Sequence, residues 1–154
     1  MLYEVIIVGG SYAGLSAAMA LGRARCRVLV IDAGLPRNRF APHALKLLLH
    51  DGDAPADLAT GARQQLATYP TVQLLVAAAT VAEQLPNGTF AVHTAQHGSF
   101  RGETLALATG LRDELPPVPG FAECWGKSIV YCPYCHGYEV ADQPTGLSGS
   151  TATK

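Results

Sequence analysis

The sequence predicts an α/β fold organised around a parallel sheet, and three observations carry that prediction. From Tyr3 to Val8 the residues are β-branched and apolar without alternation, as suits a strand covered on both faces. A helix-forming run rich in Ala, Leu and Met follows from Ala13 to Arg23, and Arg27 to Ile31 ("RVLVI") then reads as a second buried strand ending at Asp32. From Thr71 to Gly110 the texture changes to short strand-like runs punctuated by turns.

The first three elements make a βαβ unit. "AGLPRNRFAP" is a loop by its Gly and Pro content, and "HALKLLLHDG" suits either a short helix or a buried strand. "DAPADLATGARQQLATYP" reads as a helix capped by Asp53, with Pro55 in its first turn, Gly61 weakening its middle and Pro70 ending it. The runs "VQLLV", "ATVAEQL", "TFAVHTA" and "SFRGETLALATG", separated by Pro86-Asn87-Gly88 and Gln96-His97-Gly98, predict a β-meander inserted after that unit. Its last strand, Thr104 to Ala108, is expected to return to the sheet. "DELPPVPG" carries three prolines and forms the best candidate boundary, "SIVY" reads as one more strand, and "DQPTGLSGSTATK" is a polar tail expected to be disordered.

A chain of 154 residues fits one domain with a real core. It is 49% hydrophobic and 15% charged with a formal charge of −1, which gives it no electrostatic claim on nucleic acid or an anionic membrane and points to a small-molecule partner. The uncharged run from Val5 to Gly22 is neither a secretory signal nor a membrane span. Glu4 precedes it where a signal needs positive charge, and Gly9, Gly10 and Ser11 interrupt it. With no address in view, the cytoplasm is the expected compartment. There, Cys26, Cys124, Cys132 and Cys135 are poor candidates for structural bridges, and a closely spaced pair is more often catalytic or metal-binding.

"VIIVGGSYAGLSAA" places Gly9, Ser11 and Gly14 at the three small positions of the dinucleotide fingerprint G-x-G-x-x-G, directly between a strand and a helix. The first glycine permits the tight turn, the last permits close packing of helix on strand, and the middle position lets backbone amides approach a pyrophosphate. Ser11 makes the match imperfect, because its Cβ narrows that approach while its hydroxyl can cap the helix or donate to a phosphate. Asp32 stands near the spacing at which an acidic side chain accepts bonds from ribose hydroxyls, which argues for a dinucleotide without a 2′-phosphate. Gly10 and Ala13 complete the turn; Tyr12 lies beside the cofactor or packs as an ordinary aromatic; Arg37 and Arg39 reach the pyrophosphate or are merely solvated. A Rossmann-like domain results.

The stretch "YCPYCHGYE" holds Cys132 and Cys135 at C-x-x-C spacing, which lets one thiolate attack an external disulfide and the other resolve the mixed disulfide. His136 is a candidate cationic neighbour or proton carrier for the pair, or a plain surface histidine. Zinc is the rival reading, with Cys124, Cys132, Cys135 and His136 as nominal ligands. Against it, adjacent Cys135 and His136 seldom serve one tetrahedral ion and no second C-x-x-C appears, so no metal site is assigned. A glutaredoxin-like reading of "CPYC" would need a sheet and helices downstream, where only about twenty residues follow. Cys26 and Cys124 read as packing thiols, and His43, His50, His93 and His97 share no ligand spacing.

Together, "VIIVGGSYAGLSAA", "LALATG" and "CPYCHGYE" resemble the thioredoxin-reductase-like flavoproteins of the pyridine nucleotide-disulfide oxidoreductase family, over about residues 3 to 144. The closer likeness is to the branch containing dithiol oxidases, because His136 stands where thioredoxin reductases proper carry an aspartate. The resemblance implies that the first motif binds FAD, that Ala108, Thr109 and Gly110 form a second flavin-side turn, and that the cysteine pair exchanges electrons with the flavin. In that family Cys135 would face the flavin and Cys132 would meet a small-molecule or protein dithiol or disulfide; a homodimer is an arrangement the resemblance allows. The division implied is a Rossmann-like FAD-binding domain over 1–115, a linker and the start of a cysteine-bearing second domain over 116–144, and a disordered tail over 145–154. The family chain continues through an NAD(P)H-binding domain and then returns to complete the flavin domain, so the fold here is expected to be incomplete, with NAD(P)H used only in a complete protein. Related sequences also carry a glycine soon after the position of His43, and "HALKLLL" has none. The sequence leaves the direction of electron flow open, and a non-enzymatic remnant or assembly partner that only binds an adenine dinucleotide is the competing reading.

Overall fold

In the computed structural model, which describes residues 1–148, the two apolar runs lie side by side as parallel strands, β1 (Leu2–Val8) and β2 (Val28–Asp32), in register from Val5 opposite Val28 to Val8 opposite Ile31. Helix α1 (Tyr12–Arg23) crosses between them. Six strands form one sheet in the order β3-β2-β1-β6-β5-β4. Both faces of its centre are dry, which is why the strands show no alternation. Ile7, Val28 and Val30 pack with Leu15 and Ala18 of α1 on one face, while Ile6, Leu29 and Ile31 pack with Tyr3 and Val92 on the other.

The boundary between parallel and antiparallel halves differs from expectation. β3 (Val72–Val76, "VQLLV") does not belong to the meander; it runs parallel to β2, Val28 opposite Val72 through Asp32 opposite Val76. Helix α2 (Pro55–Leu66) is the crossover that delivers it. The meander proper is β4 (Ala79–Gln84), β5 (Phe90–Thr94) and β6 (Gly98–Leu107), paired antiparallel in sequence. β6 does return to the sheet as expected, beginning earlier than Thr104: it pairs with β5 over Gly98–Gly102 and with β1 from Arg101 to Leu107. Beyond Gly102 no described strand covers its far side.

Three local expectations are corrected. Asp53 does not cap α2: Ala54 holds that position, Pro55 opens the helix, and the Asp53 carboxylate instead sits 2.8 Å from His50 Nδ1. "HALKLLLHDG" is neither helix nor strand. Residues 43–53 fold on themselves through Ala44 N–H to the Asp53 carbonyl and Gly52 N–H to the Ala44 carbonyl (both 2.8 Å), with Lys46 N–H donating to Asp51 Oδ1 at 2.6 Å. With the loop's backbone bonded internally, the core makes no demand on its leucines, and Leu48 and Leu49 are 88% and 90% exposed. "SIVY" forms no strand; a lone bridge joins Trp125 and Ile129 around the turn at Gly126, whose φ is +75°.

"DELPPVPG" is irregular, as three prolines require, and leads to two single-turn helices, α3 (Phe121–Cys124) and α4 (Pro133–His136). Of the expected disordered tail, residues 145–148 have no regular structure and residues 149–154 lie outside the described residues. Among the described residues no helix is long and apolar enough to cross a membrane.

Candidate active site

The turn between β1 and α1 is built by close approach. Gly9 donates its N–H to the Ile31 carbonyl at 2.8 Å and has φ +109°, and a Cβ there would run into the Ala108 carbonyl oxygen. A Cβ at Gly14 would strike the Gly9 carbonyl oxygen, so the fingerprint's last glycine does pack helix on strand. Gly10, outside the three motif positions, proves equally constrained: a Cβ on it would lie 2.6 Å from that of Asp32.

Ser11 is the N-cap of α1, yet its hydroxyl makes no capping bond; its carbonyl accepts the Leu15 N–H at 2.9 Å. The first-turn amides of such a helix, those of Tyr12 and Ala13 among them, have no intrahelical partner and favour an anion. Ala108, on the segment after β6, donates to the Val8 carbonyl at 2.8 Å and so brings Thr109 and Gly110 beside the turn. Between them lies a cavity of about 280 Å³ lined by Gly9, Gly10, Ser11, Asp32, Thr109 and Gly110. It opens at the carboxyl ends of β1, β2 and β6, where α/β sheets of this kind hold ligands.

Asp32 is not alone there. Its Oδ2 accepts a bond from Arg63 Nη2 at 2.7 Å, with the two side chains 18% and 39% exposed. Arg63 comes from the last turn of α2, and the sequence reading missed it because only the packing of α2 beside α1 brings it near. A further cavity of about 500 Å³ separates those helices, with Ser11, Tyr12, Leu15, Met19, Leu58 and Arg63 on its walls.

Arg37 also lines the cavity beside the glycine turn, and both arginines have protein partners. Arg37 donates from Nε and Nη2 to Asp113 Oδ2 and Oδ1 at 2.8 and 2.6 Å, and its guanidinium lies 4.4 Å from the centre of the Tyr131 ring. Arg39 donates to the Pro36 carbonyl at 2.9 Å and covers the Phe40 ring at 4.2 Å. The sequence reading named neither Asp113 nor Tyr131, whose roles here are purely through space.

Cys132 precedes α4, and its carbonyl accepts the N–H groups of Cys135 and His136 at 3.1 and 3.2 Å. All four cysteines are free. The Cys135 thiol donates to the Cys132 sulfur, which holds Cys132 below the ordinary thiol value; the amides of Cys135 and Tyr134 and the Lys46 ammonium act in the same sense, against burial. Donating that bond pushes Cys135 up, and burial adds to it. Cys132 is therefore the readier thiolate. His136 stands edge-on to Tyr131 at 6.4 Å between centroids. Among the described residues no three His, Cys, Asp or Glu side chains gather in a way that could hold a metal.

Cys135 and His136 line a third cavity, about 250 Å³, whose other walls include Tyr12, Asn38, Lys46 and Tyr131. Tyr12 thus belongs both to the glycine turn and to the space in front of Cys135; its hydroxyl accepts from Asn38 Nδ2 at 3.3 Å.

This sheet, its glycine turn and the acidic residue ending β2 define a Rossmann-like dinucleotide-binding domain of the oxidoreductase type. The model of the pyridine nucleotide-disulphide oxidoreductase family matches residues 3–151, and the chain belongs to that family. It is 38% identical over 146 residues to thioredoxin reductase aclD of Aspergillus oryzae, covering 94% of this chain and 46% of that protein. To thioredoxin reductase tcpT of Claviceps purpurea it is 36% identical over 148 residues, covering 95% and 46%. The crystal structure of an oxidoreductase from Agrobacterium tumefaciens superposes with a TM-score of 0.86 at 46% identity, covering 92% of this chain and 48% of that one. The chain therefore spans somewhat less than half the length of these relatives.

Proposed function

We propose that Cys132 and Cys135 exchange electrons between a bound FAD and a dithiol or disulfide substrate. One observation carries this reading: Cys135, the thiol held high, faces the cavity it shares with Tyr12 of the dinucleotide turn, while Cys132 is the thiol held low. The residues present suit the cofactor. Gly9 and Gly10 leave backbone exposed where side chains would not fit, the Ser11 hydroxyl is uncommitted, and the Asp32 carboxylate, ending β2 beside the turn, would accept from the ribose. Tyr12, with Thr109 and Gly110 beyond the turn, would border the cofactor, which when bound supplies a two-electron acceptor or donor beside Cys135.

The thiol chemistry follows from the order of acidities. Cys132 thiolate attacks one sulfur of a substrate disulfide, forming a mixed disulfide and releasing one substrate thiolate. Cys135, after losing its proton, attacks the Cys132 sulfur, closing the Cys132–Cys135 disulfide and releasing the second. His136, the next residue along the chain, is the proposed acceptor of that proton. Run backwards, the same steps oxidise a substrate dithiol. The partner is a small-molecule or protein dithiol in the cytoplasm, with NAD(P)H or oxygen as the other redox partner of the whole protein.

The test is a flavin absorption spectrum of the purified chain, followed by anaerobic dithiol titration and mass spectrometry after alkylation. Expected are bound FAD, a reversible Cys132–Cys135 disulfide, and unequal single mutants: Cys135→Ser traps substrate as a mixed disulfide at Cys132, and Cys132→Ser does not. Stoichiometric zinc and no such disulfide under mild oxidation would overturn the reading.

A further inference from the structure

Among the described residues, no side-chain hydrogen bond or ion pair ties the segment beyond Asp113 to the Rossmann layer, the last to reach that layer being the Arg37–Asp113 pair. The segment carrying the cysteines meets the Rossmann layer by other means. Arg37 lies on the ring of Tyr131, the Lys46 ammonium stands 5.6 Å over that of Tyr134, and buried Gly126 packs so closely on Phe40 that a Cβ there would lie 2.9 Å from the Phe40 Cβ. The layer's side of these contacts is supplied by residues 37–46, the stretch that follows β2.

Arg37 differs from Lys46 in being clamped. Its bidentate pair with Asp113 fixes the plane of the guanidinium, and a fixed plane orients the ring stacked on it. Tyr131 then passes the constraint in two directions. It stacks on Trp125 at 5.4 Å and 29°, and Trp125 stacks on Phe121 at 5.8 Å and 27°. On its other side it meets His136 edge-on, the neighbour of Cys135. One cation therefore joins the loop after β2, the loop after β6 and the redox turn.

We infer that Arg37 is a positioning residue for the cysteine pair: clamped by Asp113, it fixes Tyr131 and so sets how closely the turn bearing Cys135 and His136 is held to Cys132 and to the Tyr12 cavity. The consequence for catalysis rests on the proposed function, but the positioning itself does not, and it is read here from the thiols without flavin or substrate.

The experiment uses the reduced full chain and its Arg37→Met, Arg37→Lys and Asp113→Asn variants, with iodoacetamide alkylation of Cys132 and Cys135 followed separately by mass spectrometry. Trp125, the single tryptophan, reports the stack by its emission. In the parent Cys132 reacts faster than Cys135. In Arg37→Met the ratio of the two rates falls by about three- to tenfold, the size of a lost cation–π contact, because Cys135 is released and its hydrogen bond to Cys132 loosens. Trp125 emission shifts to the red while far-UV circular dichroism is unchanged. Arg37→Lys restores the ratio in part, since an ammonium keeps the charge and lacks the fork. Asp113→Asn, which leaves the cation in place, lowers the ratio in the same sense and decides the matter should Arg37→Met not fold. Parental rate ratios and emission in folded Asp113→Asn and Arg37→Met would overturn the inference, and an intact disulfide and bound flavin in those variants would leave the proposed function standing.

Discussion

Replacing Asp32 by alanine separates its observed partner, Arg63, from the one the proposed function assigns to it, the ribose of a dinucleotide. The cost to the fold is small. Arg63 is 39% exposed, so water screens the 2.7 Å pair and readily solvates the released guanidinium; the loss is about 0–1 kcal/mol of stability. The cost to binding is larger, because a hydrogen bond to a charged acceptor contributes about 1–3 kcal/mol, equivalent to roughly a 5- to 150-fold rise in Kd. Isothermal titration with FAD and with ADP, beside thermal melts of each variant, separates the two effects. Both ligands should weaken alike, since both carry the adenosine ribose, and melting without ligand should scarcely move. Arg63→Met should weaken binding less, because it frees Asp32 Oδ2 for the ribose while removing the group that orients it. Parental FAD affinity in a folded Asp32→Ala chain would refute the placement of the ribose.

Other outcomes follow from close packing and from charge. Gly14→Ala should lower the melting temperature and abolish dinucleotide binding, because its Cβ meets a backbone oxygen that cannot yield, whereas Gly61→Ala, with open space around it, should stabilise α2 by about 0.5–1 kcal/mol; equal melting temperatures would contradict this contrast. The Arg37 guanidinium holds the Asp113 carboxyl below the usual value of about 3.9, so the stabilisation it gives is complete above that value and fades as pH falls through the lowered one. Trp125 emission should accordingly shift in acid, and Asp113→Asn should remove that transition; a transition that survives in the variant would assign it to another group.

What was legible in the sequence was local. The turn from Val8 to Gly14 and the helix after it are specified by residues a few positions apart, and the two buried strands by apolar runs too long to be exposed. Long-range pairing was not legible. "VQLLV" reads as readily for a meander as for a parallel strand, since only its partner β2, some forty residues earlier, distinguishes them. Asp53 has the right chemistry for a cap, but the chain turns one residue later and leaves it to His50. The three leucines after Lys46 suggested burial, whereas the loop closes on its own backbone. The site's neighbours escaped for the same reason: Arg63 lies far along the chain from Asp32, Asp113 and Tyr131 from Arg37, and Lys46 from Tyr134, and nothing in their spacing marks them.

The bare flank of β6 beyond Gly102 has a practical meaning for anyone handling this polypeptide. From Glu103 to Leu107 the strand offers main-chain donors and acceptors on one side without a described neighbour, and Leu107 is 69% exposed. Such a border templates further strands from whatever extended peptide is at hand, another copy included. Arg101 and Glu103 place charge beside it, and lysine or proline substitutions at Thr104 or Leu107 would blunt it further. Concentrated samples should therefore self-associate along this border and stay dispersed when it is blocked, which makes light scattering of a Leu107→Lys chain a sensible first step before crystallisation or titration.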